Sequence, residues 1–126
     1  MRSYAYFFTR QDMSPEQQIV QTAHAALKLG VETQRTSIEE WNETREGKQP
    51  HLMPQLIDAD HTYFTLIGVR NLDALHAVAT ILDKFEFRYE VFREDDLNGE
   101  PTSIAVYPIA ETARGPLLAF NLLKIK

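Results

Sequence analysis

Hydrophobic positions change period several times along the chain, and each change marks an element. Residues 3–9 (SYAYFFT) are a dense aromatic run without charge, which predicts a strand buried on both faces toward its end. Residues 10–13 read as a turn. Ser14 then suits a helix N-cap, Pro15 the first helical position, and Gln17 completes a Ser-x-x-Gln capping box. With Gly30 as the stop, the pattern predicts a helix over 15–29. Ile19, Ala23, Ala26 and Leu27 are its expected sheet-facing positions, while Gln17, Gln21, His24 and Lys28 form a polar stripe bordering a groove.

Residues 31–60 lose this regularity. The stretch 37–41 (SIEEW) begins like a short capped helix, and EGKQPHLMPQ, with its two prolines, reads as loop. So long a connection suits a variable insertion, a lid or a partner-binding element. Regularity returns at 62–69 (TYFTLIGV), a strong strand, and at 71–85, a helix capped by Asn71 with Leu72, Leu75, Ala79 and Leu82 toward the core. Two short strands, 89–92 and 103–107, flank the polar loop REDDLNGEPT as a hairpin. The apolar tail LLAFNLLKIK packs back as a short helix or a closing strand. The order β-α-(α)-β-α-β-β-tail predicts an α/β fold, a single layered domain over 1–126 with a four-stranded mixed sheet flanked by helices.

Composition narrows the function classes. The chain has 126 residues, 44% hydrophobic and 25% charged, the proportions of an ordinary globular domain. No apolar run reaches the ~18–20 residues that cross a bilayer, so no membrane partner is expected. The apolar part of MRSYAYFFTRQD is too short for a signal peptide and lacks a cleavage site. Cysteine is absent, which excludes disulfides, thiolate metal sites and a cysteine nucleophile, and makes a cytoplasmic location the default. A net charge of −5 argues against an indiscriminate nucleic-acid binder without excluding a local basic site.

Arg10, Arg70 and Arg93 each follow a predicted strand. If those strands run parallel, their carboxyl ends share the edge where open α/β sheets bind ligands, and three guanidinium groups there suit a phosphate. The alternative is that these arginines are solvated, or paired with Asp12, Glu94, Asp95 and Asp96. Other constellations carry less. His51, Asp58, Asp60 and His61 match no zinc spacing, and 94–99 lacks the alternating carboxylates of a calcium loop, so no metal is expected. His61-Thr62 has no second copy to complete a two-histidine phosphoesterase. There is no glycine-rich phosphate loop and no Ser/His/Asp elbow, and no cofactor is called for.

Taken together, Arg10-Gln11-Asp12-Met13, Gln21-Thr22-Ala23-His24-Ala25-Ala26, Val69-Arg70-Asn71-Leu72-Asp73-Ala74-Leu75, Phe92-Arg93-Glu94, Glu100-Pro101-Thr102 with Ala105-Val106, and Leu122-Leu123-Lys124-Ile125 resemble the type 2 peptidyl-tRNA hydrolase family. The resemblance covers most of the chain outside 31–60. It departs from the family where Gln17 stands in place of a lysine, and where Glu94-Asp95-Asp96-Leu97-Asn98-Gly99 replaces an Asp-Ala-Gly-x-Thr-Gln loop. The turn before the first helix is also shorter, and the family's Gly-Pro is not retained at Tyr107-Pro108. The resemblance implies cleavage of the ester between peptide and tRNA. Glu94 or Asp95 would activate water, Thr102 with Gln17 or Gln21 would hold the ester or oxyanion, and Arg10, Arg70 and Arg93 would hold tRNA phosphates. The alternative is a non-catalytic module of the same fold that binds RNA, a nucleotide or a protein partner, with a homodimer as one such arrangement.

Overall fold

The structure, a computed structural model, describes residues 3–44 and 61–122. Strand β1 spans Ser3–Arg10, helix α1 Pro15–Thr44, β2 Thr62–Val69, helix α2 Leu72–Lys84, β3 Tyr89–Glu94 and β4 Glu100–Val106. A two-residue strand β5, Ile109–Ala110, and helix α3, Gly115–Leu122, follow. The sheet order is β2-β1-β4-β3, with β5 paired to β1 off that path. β1 and β2 are parallel, while β4 runs antiparallel to both β1 and β3. β1, β2 and β3 therefore point the same way, and their carboxyl ends lie on one edge. This is the α/β domain with a mixed sheet expected from the pattern, and the described part of its tail, through Leu122, is a helix.

The two faces of the sheet are packed differently. On one, Tyr4, Tyr6 and Phe8 of β1 join Ile67, Val69, Ile104 and Val106 against α2 and α3. α2 starts where expected, the Asn71 side chain accepting from the Ala74 N–H at 3.0 Å, and buries Leu75, Val78 and Leu82. Each such side chain contributes about 1.5–3 kcal/mol of hydrophobic stabilisation. On the other face, small residues let α1 sit close: Ala5 and Ala105 of the sheet meet Ala25 and Leu29, beside Phe7. The start of α1 is fixed by Ser14, whose Oγ accepts from the Gln17 N–H at 3.2 Å.

Two expectations for α1 fail. Gly30 does not end it, and the helix runs on through 31–44, so SIEEW is not a separate helix. A mid-helix glycine costs about 1 kcal/mol against alanine. Leu29 and Thr33 are buried on either side of Gly30, and the Thr33 hydroxyl donates to the Leu29 carbonyl at 2.7 Å, so packing carries the helix past it. The loop expected within 45–60, with His51, Asp58 and Asp60, lies outside the described residues.

The second failure concerns which side faces the sheet. Ile19 and Leu27 are 70% and 67% exposed, and Ala23 is exposed too; of the four expected positions only Ala26 is partly buried. The buried residues are Gln21, Ala25, Leu29 and Thr33, a four-residue repeat. Of the stripe read as bordering a groove, Gln21 turns in beneath the helix, while Gln17, His24 and Lys28 stay exposed.

Candidate functional site

The reason for that rotation is a polar seam beneath the first half of α1. The Thr9 hydroxyl lies 2.7 Å from that of Thr22 and 2.8 Å from that of Ser103, and Thr22 donates to the Gln18 carbonyl. Farther along, Thr102 donates to Gln21 Oε1 at 2.6 Å, and Gln21 Nε2 donates to Glu94 Oε2 at 2.8 Å. Gln21 is 1% exposed and Thr102 fully buried. His24 stacks on Phe92 with ring centroids 4.8 Å apart, and Lys28 Nζ donates to the Val91 carbonyl. Among the described residues no buried side-chain N or O lacks a partner. A fully satisfied polar interface of this kind costs little to bury and fixes one register of the helix.

Thr102 reaches α1 through a bulge. Phe92 pairs with Ser103, but the next residue, Arg93, pairs with Pro101, so Thr102 is the extra residue in β4. A bulge re-aims the side chain it inserts. Here it lets neighbouring Ser103 and Thr102 both hydrogen-bond to the α1 side, which strict alternation forbids.

This network ends in a cleft of about 370 Å³ between the start of α1 and the β3–β4 turn. Arg10, Gln17, Gln21 and Glu94 line it, together with Asp12, Asp96, Glu100 and the apolar Met13 and Leu97. Glu94 caps the 3-10 turn Asp95–Leu97, its Oε1 accepting from the Asp96 N–H at 3.3 Å. The hydrogen bond from Gln21, followed by those from backbone N–H groups, holds the Glu94 carboxyl below the usual carboxylate range. It is ionised at neutral pH. The turn closes with Asn98 and Gly99 at φ 57° and 77°, the left-handed region that Asn and Gly tolerate best.

Arg10 is the other anchor. Its Nε and Nη2 donate to Asp12 at 2.9 and 2.8 Å, and Nη1 donates to Glu100 at 3.0 Å and to the Pro101 carbonyl at 3.2 Å. Four of its five N–H groups are thereby engaged. The fork on Asp12 depresses that carboxyl as well. Four carboxylates surround this one guanidinium in the cleft, a formal net charge of −3.

The sequence-derived site residues thus divide. Arg10, Gln17, Gln21 and Glu94 meet at the cleft, and Thr102 supports Gln21 from below. Arg70 and Arg93 lie at the same sheet edge but do not line the cleft; both are exposed, and Arg93 Nη1 is 3.4 Å from the Gly99 carbonyl. Asp95 sits on the turn outside it. Sequence reasoning paired the arginines with nearby acids, including Asp12, but overlooked Glu100, ninety residues from Arg10. Among the described residues no group of three or more His, Asp or Glu side chains could hold a metal, and no helix is long and apolar enough to cross a membrane. No family model matches the chain, and no curated protein matches it.

Proposed function

We propose that the chain hydrolyses an acyl ester of the peptidyl-tRNA type, as a cytoplasmic enzyme, with Glu94 as general base. The observation that carries this reading is the Thr102–Gln21–Glu94 relay, which presents an oriented, ionised carboxylate at the rim of a cleft that also holds Arg10 and Gln17. Gln21 Nε2 bonds Oε2 and the Asp96 N–H bonds Oε1, so the carboxylate is held at both oxygens, and a carboxylate has lone-pair sites beyond these for a water. That water would attack the ester carbonyl as its proton passes to Glu94, and the proton would then leave with the ribose oxygen. Gln17 and the remaining N–H of Arg10 are the donors within the cleft for the developing oxyanion. With a charge of −3 the cleft repels phosphate, so the tRNA backbone is assigned to Arg70 and Arg93 on the adjoining edge, outside it.

A second reading, a binding module for RNA, a nucleotide or a protein, is favoured by one observation. Gln21 spends its amide on Glu94, lowering the carboxyl and weakening it as a base. Release of N-blocked amino acid from charged tRNA separates the two. Hydrolysis requires turnover that Glu94→Gln reduces by about 10²-fold or more and that Thr102→Ala also lowers. Turnover indifferent to both substitutions refutes Glu94 as the base, and tRNA binding without turnover selects the binding module.

A further inference from the structure

We infer that β2 is a self-association edge, on which a second copy of this chain adds its own β2 antiparallel to form one continuous sheet. β2 ends the sheet order and, among the described residues, pairs with β1 alone. Natural edge strands are kept from pairing by lysine, proline, bulges or brevity. Thr62–Val69 has none of these: it is eight residues long, in unbroken register with β1, and carries no charged side chain. The molecule bears a net charge of −5, so an uncharged edge is where two copies meet with least repulsion.

The side chains select the partner. Phe64 and Leu66 are 55% and 52% exposed on the α1 side, where α1 packs chiefly on β1, β4 and β3. Phe64 meets Phe7 edge-on, which fixes it to that face. Tyr63, 50% exposed, stacks on Tyr4 on the opposite face, where Ile67 is buried. A two-fold axis perpendicular to a sheet keeps each face continuous, so opposed residues must share parity. Centring that axis on Thr65 sets Phe64 opposite Leu66 of the second copy, twice, and Tyr63 opposite Ile67, twice. Aromatic–aliphatic pairs of this kind are the stabilising unit of antiparallel sheets, and the strand supplies both halves of each pair. A foreign strand would have to match this sequence by chance, whereas a second copy matches it by symmetry.

Roughly half of each of three large side chains is on the order of 100 Å² apiece, to which the backbone edge of β2, paired among the described residues with β1 alone, adds. The patch sits near the lower end of specific interfaces, about 600 Å² per partner. The dimer is therefore weak and concentration-dependent, with backbone hydrogen bonds supplying affinity and the paired side chains supplying register.

Because the chain has no cysteine, one substitution reads the register directly. In the pairing centred on Thr65, the two Thr65 Cα atoms lie about 4.5–5.5 Å apart, within disulfide range, whereas residues one step off centre face their own copies at about 7–8 Å. Thr65→Cys should form a disulfide-linked dimer on mild oxidation, far faster than Phe64→Cys or Ala77→Cys on the exposed side of α2. Sedimentation of the unmodified chain should show a reversible dimer at high concentration, and Leu66→Lys should weaken it at least tenfold while near-UV circular dichroism and melting temperature stay close to the parent. A chain monomeric at millimolar concentration overturns the inference. So does a dimer insensitive to Leu66→Lys, or one in which Thr65→Cys cross-links no faster than Ala77→Cys.

Discussion

Replacing Thr102 by valine keeps the branched shape of the side chain and deletes one hydroxyl. In the structure that hydroxyl is the donor to Gln21 Oε1 at 2.6 Å, in a site where Gln21 is 1% exposed. The carbonyl left behind is buried without a partner, which costs about 1–3 kcal/mol. For a chain of this size that lowers the melting temperature by roughly 3–5 °C per kcal/mol. Gln21→Met removes the other half of the bond; its contact with Glu94 lies at the cleft rim, where water can replace it. If the bond is the cause, the double variant Thr102→Val/Gln21→Met pairs two apolar groups and is less destabilised than the sum of the singles by about 1 kcal/mol or more. Urea unfolding followed by circular dichroism measures all four chains of the cycle, with equal m-values confirming the same surface change. Additive losses, or a Thr102→Val chain as stable as the parent, would refute the view that this polar seam holds α1 in register. The same cycle reports on Glu94: without the Gln21 amide, its carboxyl should titrate closer to the ordinary range, as NMR would detect.

Acid stability follows from the Arg10–Asp12 fork. Arg10 lowers the Asp12 carboxyl, so the folded chain takes up that proton less readily than the unfolded one. The resulting stability is complete above the ordinary carboxylate value of about 4 and is lost as pH falls through the lower folded value. The parent should therefore exceed Asp12→Asn in melting temperature at neutral pH, with the gap closing in acid; a gap independent of pH would exclude the pairing as its source. At the β3–β4 turn, Gly99→Ala should cost about 1 kcal/mol, read as a lower urea midpoint. An added Cβ meets nothing within 4 Å, so the cost comes only from the φ of 77°; an unchanged midpoint would show that the turn relaxes freely.

What the sequence determined by itself was local. Aromatic runs without charge became β1 and β2, Ser14 and Asn71 started α1 and α2, and the alternation of strands and helices set an α/β domain, because each signal acts through neighbours a few residues away. The cleft was partly legible for the same reason: Arg10 and Glu94 end their strands and Gln17 and Gln21 lie in the first two turns of α1, which the parallel strands collect on one edge. The direction each ambiguous element faces depended instead on contacts made across the assembled fold. α1 carries an apolar stripe at Ile19, Ala23 and Leu27, and periodicity alone turns that stripe inward. The sheet above which it lies offers Thr9, Ser103 and a bulged Thr102, so Gln21 and Thr22 gain complete hydrogen bonding by turning inward instead, across 81 residues in the case of Gln21 and Thr102. Nothing near Thr102 in the chain announces the bulge that aims it. Gly30 likewise reads as a stop until Leu29 and Thr33 are seen buried on either side of it. The charge of the cleft was decided in the same way, when the fold brought Glu100 beside Arg10, whose guanidinium it shares with Asp12.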